Sequence, residues 1–428
     1  MTPRRLKVVT LGCSKNTVDT EHLLAALPLE MFEVVDTLPA DLLLYNTCGF
    51  IGDSKQESID AILEGVEAKK RGEAARIVVF GCLSQRYAAE LPAAIPEVDA
   101  WFGARDLNPL LDWLGAPRSR FVSRRQERRR GYAYLKISEG CDRRCSYCAI
   151  PFIRGAHRSV PIEDLVQEAG QLAAEGVSEL IIIAQDTTWY GLDLYGRRSL
   201  ALLLQKLSEV PGIRRLRIHY SYPADFPDDV LDQMALNPKV CRYLDIPLQH
   251  ISDKVLGNMH RHIDAAGTRA LVAALRSRVP GVVLRTTMIV GHPGEGPEEF
   301  DELLAFAREA RFERLGAFTY SEEEGTWGAS NLPDDVPAEE KERRYELLML
   351  VQRDISMEFN RSRVGTVTEV IVDDRSGDLL VCRSEFESPE VDGEIFVRAK
   401  NPDAIPVGSY LTVRITSAED YDLLAEEV

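Results

Sequence analysis

The chain has 428 residues, 45% hydrophobic and 28% charged, with 29 Gly and 22 Pro. This is ordinary globular usage, long enough for roughly two to four domains, and it excludes collagen-like and disordered classes. A formal charge of -17 makes a protein that binds mainly by neutralising phosphates a poor fit, and favours a basic protein partner. No stretch of about eighteen apolar residues occurs, and Met1-Thr2-Pro3-Arg4-Arg5 runs into a strand-like segment without a signal-peptide core. A cytoplasmic protein with no membrane partner is therefore expected. Eight cysteines are too few for a disulfide scaffold, and in such a chain they direct attention to metal or redox chemistry.

Residues 1–116 alternate short apolar runs with helical patterns. Leu6–Leu11, Asp41–Asn46 and Arg76–Phe80 read as strands, Thr17–Leu27 and Ser54–Arg71 as helices, which predicts an α/β domain with a parallel sheet. Residues 117–131 carry Arg118, Arg120, Arg124, Arg125, Arg128, Arg129 and Arg130. They read as a solvated interdomain linker, with a basic patch for RNA or an acidic surface as the alternative.

The βα alternation restarts at Tyr132 and runs to about residue 360. Strands are expected at Tyr132–Ile137, Glu179–Ala184, Leu216–Tyr220, Arg242–Ile246, Val282–Val290 and Leu315–Tyr320, with helices such as Glu163–Glu175, Leu200–Glu209, Ala265–Arg278 and Glu298–Glu309 between them. Six such units predict a barrel-like α/β sheet, an incomplete (β/α)6 barrel short of eight-unit closure. Pro337–Asn360 reads as a long charged helix leading out of it. Residues 361–428 change to short β-rich runs, at Thr366–Val372, Leu379–Cys382, Glu394–Val397 and Tyr410–Ile415, and read as a small all-β, OB-like barrel. This tail holds 7 basic and 15 acidic residues, a net -8.

The strongest chemical signal is Cys141-Asp142-Arg143-Arg144-Cys145-Ser146-Tyr147-Cys148, just after the first barrel strand. Three thiolates so close wrap one soft-metal site, and three rather than four leave one iron of a [4Fe-4S] cluster open to a small molecule. A zinc knuckle with a fourth ligand such as His157 is the bland alternative. A second signal is spread along the N-terminal domain. Cys13, Cys48 and Cys82 each follow a predicted strand, flanked by Gly12, Gly49 and Gly81, and in a parallel sheet those strand ends share one edge, where ligands collect. They are read as a second three-cysteine cluster site. Cys241 and Cys382 are read as buried packing, and His250, His260 and His262 carry no metal-ligand spacing.

The C-x3-C-x-aromatic-C run at the mouth of an incomplete barrel resembles the radical S-adenosylmethionine enzymes. Two cysteine triads followed by a small β domain resemble the methylthiotransferases within that group, over essentially the whole chain. The resemblance implies two [4Fe-4S] clusters and S-adenosylmethionine as cofactors, with an electron donor such as flavodoxin or ferredoxin. Cys141, Cys145 and Cys148 would ligate the radical-generating cluster, and Cys13, Cys48 and Cys82 the auxiliary one that handles sulfur. The tail would be a TRAM domain that grips the substrate. For the cofactor, the resemblance places the Tyr147 backbone near the adenine, Gln185 and Asp186 near the methionine amino group, and Gly291 and Glu295 in the fifth βα loop.

Two substrates compete within that family: an aspartate β-carbon in small-subunit ribosomal protein twelve, or an adenosine in tRNA. The segments Asn46-Thr47-Cys48-Gly49-Phe50-Ile51, Ala184-Gln185-Asp186-Thr187, Tyr243-Leu244-Asp245-Ile246-Pro247-Leu248-Gln249-His250 and Tyr421-Asp422-Leu423 resemble the ribosomal-protein branch. The acidic tail agrees, because it would repel a tRNA backbone and attract a basic ribosomal protein. His292, where the resemblance leads us to expect Phe, and the tail segment Ser384–Gly393, which keeps the Pro389-Glu390-Val391-Asp392-Gly393 turn but lacks the Asp-Ala expected before it, depart from the pattern, and the arginine-rich segment favours tRNA.

Overall fold

A computed structural model describes residues 2–126 and 130–428; Arg128 and Arg129 of the arginine-rich segment lie outside the described residues. Five parallel strands, β1 (Arg4–Thr10), β2 (Phe32–Val34), β3 (Ala40–Thr47), β4 (Ala74–Gly81) and β5 (Ala100–Trp101), form the first sheet in the order β2-β1-β3-β4-β5. Successive strand residues point to opposite faces, and here both faces are covered. Leu42, Leu44, Val78 and Phe80 pack into one core with Leu23 and Leu110, while Leu43, Tyr45, Ile77 and Val79 pack into another with Ile62 and Val66. That two-sided burial explains why β3 and β4 read as near-continuous apolar runs. The strand order reverses between β1 and β3, so the crevice at the carboxyl ends of these strands is the expected ligand position.

The second sheet contains β6 (Tyr132–Lys136), β9 (Glu179–Ile183), β10 (Arg215–Ile218), β11 (Val240–Asp245), β12 (Val283–Val290) and β13 (Arg314–Thr319), all parallel and adjacent in chain order. A short antiparallel pair, β7 (Ser138–Glu139) and β8 (Arg158–Ser159), brackets the cysteine-rich loop. β6 and β13 are the two ends of this open six-stranded sheet. The helix Ile162–Ala174 shows why the layers form: Leu165, Ala169 and Leu172 make one buried stripe that joins the sheet core.

The last five strands, β14 (Val367–Ser376), β15 (Leu379–Arg383), β16 (Ile395–Arg398), β17 (Tyr410–Ala418) and β18 (Leu423–Glu427), close into a barrel in the order β14-β15-β16-β18-β17. Four were expected. β18, absent from the sequence reading, pairs with both β16 and β17 and completes the closure. Among the described residues no helix is long and apolar enough to cross a membrane.

In the arginine-rich segment Arg118 and Arg120 stay exposed to solvent, as expected of a solvated stretch, whereas Arg124 does not. Arg118 pairs with Asp112, Arg120 with Asp164, Arg124 with Glu21 and Glu168, and Arg130 with Glu390. Arg124 is buried, between a helix of the first sheet and a helix of the second, because each brings it a carboxylate. The tail's acidity is likewise partly spent inside the chain. Glu369, Glu385, Glu387 and Asp392 face Arg214, Arg242, Arg314 and Arg285 of the central unit. The charge argument for a basic partner is correspondingly weaker than a count of residues suggests.

Candidate active site

Cys13, Cys48 and Cys82 follow β1, β3 and β4, which are neighbours in the first sheet, so the three thiols share one edge. Cys13 is the N-cap of the helix Ser14–Ala26, and Cys82 opens the helix Cys82–Arg86. Gly12 has φ +91°, and a Cβ there would stand 2.7 Å from the Cys48 Cβ, so the glycine lets the Cys13 loop close on Cys48. Asn16 ties the strand ends together, its Nδ2 donating to the Leu11 carbonyl at 2.7 Å and to the Thr47 carbonyl at 3.2 Å. Burial pushes the Cys82 thiol up to about 12, opposed by Arg154, with Cys13 and Cys48 adding to the rise. Burial also raises Cys48, and Cys13 adds to that rise. The three sulfurs therefore lie within each other's field.

The second triad sits at the carboxyl end of β6. Gly140 has φ +76°, and its missing side chain is needed because a Cβ would lie 2.2 Å from the Ala156 carbonyl; the Cys141 N–H donates to the Gly155 carbonyl at 3.0 Å. Burial pushes Cys141 up to about 12 and raises Cys148, which Cys145 and Cys141 push further. A bound metal reverses this by deprotonating its thiol ligands. Among the described residues no three His, Cys, Asp or Glu side chains converge on a single-ion position. A four-iron cube is wider than one ion and spaces its ligands farther apart.

The carboxyl ends of the second sheet also present buried polar atoms that no protein group satisfies: Ser146 Oγ, Gln185 Oε1, Gln249 Oε1, Arg261 Nε, His292 Nε2 and the Tyr320 hydroxyl. Buried polar groups are rarely left unpaired. This mixture of donors and acceptors fits a ligand that, like S-adenosylmethionine, carries an amino acid end and a nucleoside end. His292 stands between Tyr147 and Tyr320, with ring centroids 6.3 and 4.9 Å away. Burial pushes it down to about 4, so it is neutral. Its Nδ1 lies 3.1 Å from the Pro293 carbonyl, which can only accept, leaving Nε2 as an acceptor.

The residues singled out for the cofactor are placed as follows. The Tyr147 hydroxyl lies 3.5 Å from Arg261 Nη1. Gln185 Nε2 donates to Glu139 at 2.9 Å, and its Oε1 is the orphan noted above. The Asp186 carboxylate is committed inside the protein: it accepts from Arg143 Nε at 2.7 Å and caps Thr188 at 2.8 Å. Glu295 is committed as well, accepting from the Gly291 N–H at 2.9 Å and from Arg344 at 2.8 Å, with His250 Nε2 3.3 Å away. These two acids hold loops in place. The His260 and Trp327 rings touch with centroids 4.3 Å apart, tilted by 50° to each other. Cys241 and Cys382 are buried among apolar residues, as expected.

Several residues went unread in the sequence. Arg261 Nη1 lies 3.5 Å from Cys145 Sγ, and the rings of Tyr222 and Trp189 carry Arg143 at 4.0 and 4.1 Å. Between the triads, Asp19, Lys136, Glu139 and Arg154 form a buried ion network. Burial pushes Glu139 up, but Lys136 and Arg154 outweigh it and hold the carboxyl down to about 2. Arg154 Nε donates to Cys82 Sγ at 3.2 Å. The signal available was proximity in sequence to the cysteines, since Arg143 lies within the Cys141–Cys148 run, Glu139 and Arg154 flank it, and Asn16 follows Cys13.

Residues 135–307 match the Radical SAM superfamily, residues 5–103 the Uncharacterized protein family UPF0004 and residues 364–428 the TRAM domain. The chain is 46% identical over 425 residues to the ribosomal protein uS12 methylthiotransferase RimO of Phocaeicola vulgatus, covering 98% of each chain. It is 48% identical over 424 residues to that of Christiangramia forsetii (99% of this chain, 94% of the relative) and 47% over 435 residues to that of Porphyromonas gingivalis (100% of both). Among solved structures, the radical S-adenosylmethionine methyltransferase TsrM from Kitasatospora setae aligns with a TM-score of 0.58 at 14% identity, over 89% of this chain and 80% of that one. That likeness concerns the fold alone.

Proposed function

The chain belongs to the family of ribosomal protein uS12 methylthiotransferases, and from that membership we propose that it attaches a methylthio group to the β-carbon of an aspartate in ribosomal protein uS12. The observation that carries the reading is the second cysteine triad, at the crevice of the first sheet beside the radical SAM segment. Radical generation needs one cluster site, and sulfur insertion gives the other a purpose.

In this reading Cys141, Cys145 and Cys148 hold one [4Fe-4S] cluster, Cys13, Cys48 and Cys82 hold a second, and S-adenosylmethionine occupies the polar mouth of the second sheet. The bound groups supply one-electron chemistry and open irons, one for the cofactor and one for sulfur. The protein's own residues position and enclose. Asp186 steadies Arg143, which with Arg261 braces Tyr222 beside the cysteine loop. Glu295 fixes the loop that carries His292, and Arg344 anchors Glu295 from the helix Ala338–Ser362. A neutral His292 would offer its unpartnered Nε2 as an acceptor to the cofactor.

The domain assignment, 1–116, 132–360 and 361–428 with a connecting segment at 117–131, goes with this proposal, as does a low-potential electron donor such as flavodoxin or ferredoxin. A tRNA substrate draws little support from Arg118, Arg120, Arg124 and Arg130, which are engaged by the chain's own acids. Mass spectrometry of ribosomal proteins and of tRNA nucleosides from a strain lacking the gene tests the reading. Loss of the methylthio group from a uS12 aspartate is expected; its loss from an adenosine instead would overturn it.

A further inference from the structure

We propose that Arg154 is the positioning residue of the auxiliary cluster, donating to a ligand sulfur at Cys82 while fixed by carboxylates from both halves of the molecule. This rests on the reading that Cys13, Cys48 and Cys82 ligate a cluster. The Arg154 side chain is 2% exposed, and all three of its guanidinium nitrogens are used. Nε lies 3.2 Å from Cys82 Sγ, Nη2 2.6 Å from Asn16 Oδ1, and Nη1 2.6 Å from Asp19 and 3.2 Å from Glu139. The fork geometry of arginine suits this, because one planar group can hold three fixed directions at once.

The contacts to Cys82 and Asn16 lead back to the triad. Asn16 is bound to the backbone just before Cys13 and just before Cys48, so Arg154 reaches two strand ends through Asn16 and the third cysteine directly. The charged groups facing it are Asp19 and Glu139, which Lys136 shares. Two cations thus meet two carboxylates, and Asn16 Oδ1 and Cys82 Sγ are the remaining acceptors. A cationic N–H donor to a cluster sulfur stabilises the reduced cluster and raises its potential. Arg154 also lies six residues after Cys148, and Ala149 and Ile153 of the same turn pack on Cys82. One segment, residues 141–154, therefore serves both triads, with thiols for one and a cation for the other.

The test uses the full chain reconstituted anaerobically, with iron and sulfide content and a potentiometric titration followed by EPR. Arg154→Gln should retain about eight irons per chain, shift the auxiliary midpoint downward and leave the radical-generating cluster's midpoint in place. Arg154→Lys, which keeps the charge without the fork, should fall between. No shift, an equal shift of both clusters, or a Lys variant indistinguishable from Gln would overturn the proposal. Should Arg154→Gln fail to fold, the wild-type arginine can be probed directly. In the Cys141→Ala/Cys145→Ala/Cys148→Ala chain, 15N-arginine labelling should give a pulsed-EPR coupling to the remaining cluster, and its absence overturns the assignment. Failure of the underlying reading looks different: Cys13→Ala/Cys48→Ala/Cys82→Ala would then keep its full iron content.

Discussion

Replacing Gly12 by alanine isolates the packing of the auxiliary site. The new methyl carbon would stand 2.7 Å from the Cys48 Cβ and 3.0 Å from its Sγ, on a backbone with φ +91°. Carbon atoms pack at about 3.5–4.0 Å, so one loop must give way by about 1 Å. The left-handed conformation adds roughly 1–2 kcal/mol for a residue with a Cβ. Domains are stable by about 5–15 kcal/mol, so the chain should stay folded, with urea unfolding showing a loss of about 1–3 kcal/mol. Metal–ligand distances hold to within about 0.2 Å of their ideal values, a margin well below that loop shift. Iron after anaerobic reconstitution should therefore drop from about eight to about four per chain, with cofactor cleavage kept and methylthiolation lost. A Gly12→Ala chain with full iron and an unchanged auxiliary-cluster spectrum would refute the reasoning.

Other expectations concern the junctions between units. Glu179 is fully buried with Arg217 Nε at 2.8 Å and Arg383 at 3.2 Å; Glu179→Gln should cost about 3–5 kcal/mol by leaving the buried Arg217 without a carboxylate and Arg383 with Asp373 alone. Hydrogen exchange should then quicken across β14–β18, and an unchanged rate would contradict this. Burial raises both Glu179 and Glu387, but Arg383 and Arg217 for the first, and Arg363 and Arg314 for the second, hold each down to about 2. Their folded values lie below the unfolded ones, so the stability they contribute is complete above the ordinary carboxylate range and is lost as pH falls toward 2. Melting temperatures measured down to pH 3 should fall below about pH 4.5, less steeply in Glu179→Gln; parallel slopes would remove Glu179 from the account. Cys241→Ala and Cys382→Ala should each lower stability by about 1–2 kcal/mol and leave iron content unchanged, whereas a loss of iron would give them a ligand role.

The features legible in the sequence were those that repeat locally. Strand periodicity placed β3, β4 and β9 within about two residues, and the position of each cysteine just past a strand end was enough to bring Cys13, Cys48 and Cys82 to one edge. β18 was missed because Leu423–Glu427 has no β-branched residue and two acids, and its place is fixed by the barrel closing around it. Nothing local marks Glu179 and Arg217 as a buried pair completed by Arg383, some 170 to 200 residues away along the chain. Arg154 was marked only by its nearness to the Cys141–Cys148 run, and its contacts were hidden for the same reason. Its partners Asn16, Asp19, Cys82 and Glu139 come from three separate stretches of chain, and burial of an arginine follows from tertiary packing.

The arginine strap has a consequence for anyone recombining these units. A junction cut near residue 117 or 131 looks permissive in sequence, yet the first would part Arg124 from Glu21, and the second would part Arg124 from Glu168 and Arg130 from Glu390. Grafting a foreign sulfur-handling module onto this barrel therefore calls for the connecting segment to travel with both acidic neighbours, as one cassette.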